Sequence, residues 1–328
     1  MIDDYQDIIN TLNTGDINFD FILKGIFEYQ SRHNSVYRQF LDLIDSHEPI
    51  RGIGDIPFCP ISVFKYHDVM SGSWRCQQYF LSSGTNGIRS RHNIRGLNLY
   101  HQVAQNIFES YFGRLSQYQI FALLPNYQDN PHSSLISMVD YFGRRSAYKT
   151  EYFLNDYFNL YERIEENLMS KVPTILFAVS FALLDYVDQH EHELNDNFII
   201  IETGGMKKYK KEMTKIEILQ RLRTSFDRAI ICSEYGMTEC LSQAYSFNSE
   251  WLLMNPYFKI IVTDPMDPKS VLPHGRIGRI NIVDLANIDT LSFIATDDLG
   301  KISLDDPNKF QILGRLSNTD LRGCNYLI

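Results

Sequence analysis

Asn197-Phe-Ile-Ile-Ile201 is a near-continuous apolar run, and Glu202-Thr-Gly-Gly205 follows it directly. A short, β-branched run closed by glycines reads as a strand buried on both faces, the habit of parallel sheets. Upstream, residues 119–124 read as a strand closed by Pro125, 134–142 and 157–169 as helices, 174–179 as a strand and 180–187 as a helix. Downstream, Thr214-Lys-Ile-Glu217 has the form of a capping box opening a helix to about Arg223, and Arg228-Ala-Ile-Ile-Cys232 reads as another buried strand. Strands that alternate with helices predict an α/β fold with a mostly parallel sheet. Beyond about Trp251 the strands shorten, at 258–263, 279–284 and 291–296, and Asp/Pro/Gly turns separate them. That pattern predicts a small β-rich subdomain.

Residues 1–46 are mainly helical in pattern, with Phe19, Ile22, Leu23, Ile26 and Phe27 on one stripe and Phe40, Leu41 and Ile44 on another. Pro49, Gly52, Gly54, Pro57 and Pro60 mark a long irregular connection. The expected organisation is a helical segment over 1–75, an α/β core over 76–250 and the β subdomain over 251–328.

With 328 residues, 44% of them hydrophobic, there is ample material for a core. A net charge of -9 and the lack of a basic stripe argue against a nucleic-acid partner. The five cysteines are scattered without Cys-x-x-Cys pairs and read as free thiols in a reducing compartment. Met1-Ile-Asp-Asp-Tyr lacks the basic start of a signal peptide, so a cytoplasmic location is expected. The longest apolar run, 172–184, falls short of the roughly 18 to 20 residues of a membrane span and contains Pro173.

Phe80-Leu-Ser-Ser-Gly-Thr-Asn-Gly87 presents a strand running into a turn rich in hydroxyls and small residues. After it, Tyr100, Val103, Ala104, Ile107, Phe108 and Tyr111 mark one face of a helix. Backbone donors and hydroxyls in such a strand–turn–helix can cradle a phosphate. It is not a Walker loop, since Ile88, Arg89 and Ser90 follow Gly87.

Ser82-Ser-Gly-Thr-Asn-Gly87, Thr203-Gly-Gly205, Glu234-Tyr-Gly-Met-Thr-Glu239, Thr296-Asp-Asp-Leu-Gly300 and Gly314-Arg315 lie in that order along the chain. Taken singly, Glu239 suits a solvated helix start, Tyr235 a core position and Asp298 a turn. Taken in order, they resemble the adenylate-forming superfamily of acyl-CoA synthetases, adenylation domains and firefly-type luciferases. The closing Leu313-Gly-Arg-Leu-Ser-Asn-Thr-Asp-Leu-Arg-Gly-Cys324 is most similar to the acyl-protein synthetases of the bacterial bioluminescence fatty-acid reductase.

The resemblance implies an ATP- and Mg²⁺-dependent ligase that converts a carboxylic acid, fatty or aromatic, to an acyl adenylate. It implies a nucleotide-binding core of layered α/β subdomains. Ser82, Ser83, Gly84, Thr85 and Gly87 would hold the β- and γ-phosphates. Gly204 and Gly205 would approach the adenine, and Tyr235 would stack on it. Thr238 would bind phosphate or the substrate carboxylate, Glu239 would hold Mg²⁺, Asp298 would bind the ribose and Arg315 would lie beside it. Cys324 would carry the acyl group as a thioester, for a reductase, transferase or carrier protein.

Ser90 stands where the superfamily's loop usually reaches a lysine, so phosphate neutralisation would fall to Arg89, Arg91, His92, Mg²⁺ or backbone donors. Thr296-Asp297 replaces the common Thr-Gly. The sequence ends at Ile328, just past the hinge region, so the superfamily's mobile C-terminal domain and its lysine have no counterpart, and Lys207, Lys208 or Lys210 would reach the α-phosphate instead. Three alternatives stay open: a CoA or small-acid ligase completed by a separate chain, a non-catalytic nucleotide- or acyl-binding scaffold, and a serine hydrolase pairing Ser82 or Ser83 with His92 or His101.

Overall fold

The computed structural model describes residues 5–46, 48–83, 87–125, 128–204 and 213–316. Two compact units divide the chain: residues 104–236 with 243–252, and residues 1–103 with 237–242 and those from 253 onward. The helical segment expected over 1–75 and the strands after 253 thus belong to one unit.

In the first of these units the strand Phe198–Thr203 is buried at every position. It runs parallel to Thr174–Val179 on one side and to Ile230–Tyr235 on the other, with Ile175 opposite Ile199 and Ile200 opposite Ile231. Gln119–Leu123 and Glu151–Tyr152 extend the parallel order, and Ala244–Ser246 closes it antiparallel. Apolar side chains point both ways because both faces are covered: Phe121, Leu176 and Ile200 share a buried cluster with the helices Tyr157–Ser170, Ser180–Val187 and Lys215–Ser225, while Phe177, one position along its strand from Leu176, packs its ring on Phe108 and Phe142. Each such side chain contributes about 1.5–3 kcal/mol on full burial. The capping box forms as expected, with Thr214 accepting from the Glu217 amide and Glu217 from the Thr214 amide.

The other unit is built on antiparallel strands Phe258–Thr263, Gly278–Asp284, Phe293–Ile302 and Lys309–Arg315. Cys59–Pro60 adds a short parallel pairing to Phe293–Ile302. Helices Tyr5–Thr14, Phe19–His33 and Ser35–Leu43 pack on them through apolar and polar contacts alike. The Phe27 and Phe293 rings lie 5.9 Å apart. Buried Gln30 donates to the carbonyls of Asn287 and Ile288, at 2.9 and 3.1 Å, and accepts from the Ser292 amide at 3.0 Å.

Two local expectations need correction. The Ser/Gly turn does not lead straight into a helix: Gln78–Leu81 pairs antiparallel with Arg91–Ile94, and the helix begins only at Leu97. Arg91-His-Asn-Ile lacks the helical apolar period, and its backbone groups are satisfied across the hairpin. Residues 296–300 are likewise no turn, because Phe293–Ile302 runs through them with a register shift between Leu299 and Gly300. The described residues include no helix long and apolar enough to cross a membrane. Cys59, Cys76, Cys232 and Cys240 carry free thiols.

Candidate active site

Thr238 and Glu239 lie on a loop, residues 237–242, that has no ladder to hold it. Side chains from elsewhere in its unit do that work. The Asp284 carboxylate accepts from the amides of Leu241 and Ser242, at 2.7 and 3.1 Å, from the Ser242 hydroxyl at 2.6 Å and from the Ala286 amide at 3.0 Å. Burial pushes the Asp284 pKa up, and these donors pull it back. Asn287 Nδ2 donates to the Glu239 carbonyl at 2.7 Å.

His92 completes the support. Its Nδ1 lies 2.8 Å from the Thr238 carbonyl and its Nε2 2.8 Å from Thr290 Oγ1. A carbonyl only accepts, so in the neutral ring Nδ1 bears the proton and Nε2 accepts from Thr290. Burial pushes the His92 pKa down to about 4, which keeps the ring neutral. The expectation that His92 neutralises phosphate is therefore wrong, as is its pairing with a nucleophilic Ser82 or Ser83: both ring nitrogens are spent inside the fold.

The Glu239 side chain is 7% exposed and accepts a hydrogen bond from Ser90. Burial raises its pKa, while Ser90, its own amide and the charges of Arg315 and Lys65 oppose the rise. Ser90, at the position where a lysine was missed, thus touches the acid itself. It also ties the hairpin: Ser90 N donates to Ser82 Oγ at 3.0 Å, and Ser82 N donates to the Ser90 carbonyl at 3.1 Å. Ser82 is half-buried, Ser83 is exposed, and Gly87 takes φ 97°, a conformation that favours glycine. Gly84 and Thr85 lie outside the described residues.

Asp298 faces Arg315 across paired strands, and Arg315 Nε donates to Asp298 Oδ1 at 3.0 Å. Asp298 is buried, its amide donates to Thr296 Oγ1 at 3.0 Å, and Arg315 is exposed. Asp298, expected to bind the ribose, and Arg315, expected beside it, form an ion pair.

In the parallel-sheet unit, Gly204 follows one strand and Tyr235 ends its neighbour, with Thr203 opposite Glu234. Gly204 has φ 80°, and its carbonyl accepts from Ser180 Oγ at 3.1 Å. Ser180 also donates to Glu202, Lys215 pairs with Glu202, and Thr203 donates to Glu234. Burial pushes the Glu234 pKa up to about 7. This polar knot at the carboxyl ends of the strands sits where open sheets place ligands. No motif flagged Ser180 or Lys215 as part of it, and Glu234 opens the motif 234–239 without an expected role. Gly205, Lys207, Lys208, Lys210 and Cys324 lie outside the described residues.

Among the described residues no three or more His, Cys, Asp or Glu side chains form a metal cage. Mg²⁺ does not need one, since it takes one or two carboxylates and fills its shell with water and substrate phosphates. Glu239 suits that demand: it is an oxygen donor whose burial disfavours its own charge, and a nearby divalent cation would restore it.

The fold is that of the adenylate-forming enzymes. The chain is similar to ATP-bound MatB from Rhodopseudomonas palustris, with a TM-score of 0.55 and 17% identity over 74% of this chain and 49% of that one. It is also similar to O-succinylbenzoate coenzyme A synthetase (MenE) from Bacillus subtilis in complex with AMP, with a TM-score of 0.53 and 14% identity over 74% of this chain and 50% of that one. It therefore spans about half the length of these solved structures.

The family model for acyl-protein synthetase, LuxE, matches residues 145–328, and the chain belongs to that family. Two relatives are each called long-chain-fatty-acid–luciferin-component ligase. The Vibrio harveyi protein is 23% identical over 92% of this chain and 85% of its own length. The Aliivibrio fischeri protein is 23% identical over 93% and 86%.

Proposed function

We propose that this chain uses ATP to activate a long-chain fatty acid and passes the acyl group to a thiol, as an acyl-protein synthetase. The observation that carries the proposal is the propped loop that holds Glu239 against Ser90, in a unit that also contains the Asp298–Arg315 pair. Family membership supplies the reaction class, and the names of the two relatives, each a long-chain-fatty-acid–luciferin-component ligase, support a long-chain fatty acid as first substrate and a luciferin component as the recipient.

A carboxylate oxygen of the acid bonds to the α-phosphorus of ATP as the bond to the pyrophosphate oxygen breaks. The acid is ionised at neutral pH, so no general base is needed. A thiolate, on Cys324 or on a partner protein, then bonds to the acyl carbon and AMP leaves. The chain contributes position and charge: Glu239 offers an oxygen to Mg²⁺, Asp298 accepts from ribose hydroxyls, Tyr235 and Gly204 serve the adenine, and Ser82, Ser83 and Gly87 face the phosphates. When bound, Mg²⁺ supplies charge neutralisation at the phosphates. The free thiols of Cys59, Cys76, Cys232 and Cys240 suit the cytoplasm as the place of action.

Acid-dependent exchange of labelled pyrophosphate into ATP, scanned over fatty, aromatic and amino acids, tests the first half. Exchange is expected with long-chain fatty acids, and silence with every acid overturns the proposal. Labelled acyl group held on the wild-type chain but not on Cys324→Ser assigns the acceptor; label on both, or on free CoA alone, removes Cys324 from the role.

A further inference from the structure

Lys65 lies on the short helix Val63–Tyr66, which is anchored at two points to the elements that build the Glu239 site. Just before the helix, Pro60 lies opposite Ala295, and the Ile61 amide donates to the Ala295 carbonyl at 2.9 Å, on the strand that continues to Asp298. Inside it, the buried Phe64 ring meets His92 edge-on at 5.3 Å, and His92 is the residue that holds the Thr238 carbonyl. The backbone at position 65 is therefore tied to both the strand of Asp298 and the loop of Glu239.

The side chain is exposed, and among the described residues it makes no hydrogen bond or ion pair. Three other described cations of the unit are engaged. Arg315 donates to Asp298, Arg89 Nε donates to the Ser82 carbonyl at 2.6 Å, and the Arg91 guanidinium lies 4.5 Å from the centre of the Tyr79 ring. The charge of Lys65 nonetheless reaches the Glu239 carboxylate. An ammonium on a flexible four-carbon stem, anchored at its base and uncommitted at its tip, is a binder of polyphosphate.

Resting on the adenylation proposed above, we propose that Lys65 is a further catalytic residue, whose ammonium binds the β- and γ-phosphates of the nucleoside triphosphate and steadies the departing pyrophosphate. Glu239 and Lys65 then form a pair of opposite signs. The acid recruits the divalent cation, and the lysine meets phosphate charge directly. AMP lacks the groups Lys65 would touch.

Calorimetric titration of the full chain with Mg-ATP and with AMP separates these contacts. Lys65→Ala is expected to weaken ATP binding by about ten- to one hundred-fold, the scale of one charge-assisted contact, and to leave AMP within about two-fold. Lys65→Arg should recover most of the loss, and the melting temperature of both variants should match the wild type because the side chain is exposed. If Lys65→Ala weakens ATP and AMP alike, or neither, the role is overturned while a wild type that still exchanges pyrophosphate keeps its adenylation. A wild type that neither binds ATP nor exchanges pyrophosphate overturns both.

Discussion

The two units are held together by different means. The parallel-sheet unit is an apolar core in which Ile, Leu and Phe side chains from consecutive strands and helices meet, with Phe108, Phe142 and Phe177 rings within 6.5 Å of one another. The antiparallel unit is also apolar inside, but Gln30, His92, Asp284 and Asn287 thread buried hydrogen bonds through it, joining residues as far apart as 30 and 288. Apolar contacts tolerate small shifts, whereas a buried donor left alone costs about 1–3 kcal/mol. Precise placement of Thr238 and Glu239 thus comes from buried hydrogen bonds of their own unit, whereas the parallel-sheet unit keeps its polar contacts at strand ends and helix edges around an apolar centre.

The largest expected effect separates chemistry from stability. Glu239→Ala should lower pyrophosphate exchange by about a hundred-fold or more, on the scale of losing one preorganised electrostatic group. Its melting temperature should hold, because burial already disfavours that charge. A parallel loss of fold would make Glu239 a structural acid.

Next come the two kinds of core. Asp284→Ala strands the amides of Leu241, Ser242 and Ala286 and should cost about 3–5 kcal/mol, with activity lost early in a urea titration. Phe177→Ala should cost a similar 3–5 kcal/mol by cavity formation, yet leave exchange per folded molecule near wild type. Equal loss of specific activity in both would erase the distinction between the units.

The pH responses should run in opposite directions. His92 is neutral when folded down to about pH 4, whereas unfolded histidine takes up its proton near 6.5. Below 6.5 the unfolded chain binds more protons, so this contribution, about 3 kcal/mol, is present above that pH and lost as pH falls toward 4. His92→Gln should flatten that slope. Glu234 keeps its proton when folded up to about pH 7, whereas unfolded glutamate releases it near 4.3. Its contribution is complete at low pH and lost as pH rises from about 4.3 through 7, an effect of similar size that Glu234→Gln should remove. The only two tryptophans, Trp74 and Trp251, fall in different units, so single-tryptophan variants read the two slopes separately. Slopes of one sign in both would refute the assignment.

The same contrast explains what could be read from the chain. Asn197-Phe-Ile-Ile-Ile201 and Arg228-Ala-Ile-Ile-Cys232 show their burial because a parallel strand wears its environment as an unbroken apolar run. Thr238, Glu239, Asp298 and Arg315 were legible only as an ordered set of short motifs. Ser90, His92, Asp284 and Lys65 were not legible as support, because a hydrogen bond between residues 146 positions apart, such as His92 with Thr238, leaves no local pattern. The hairpin at Arg91–Ile94 was missed for a related reason: its polar residues are satisfied by the partner strand and by distant groups.

A nascent chain that has been made as far as residue 280 already contains Thr238 and Glu239, but not Asp284, Asn287 or Thr290, on which their positions depend. Such a fragment has the signature without the seat. The seat is complete only when the second half of the antiparallel sheet has been made and has closed.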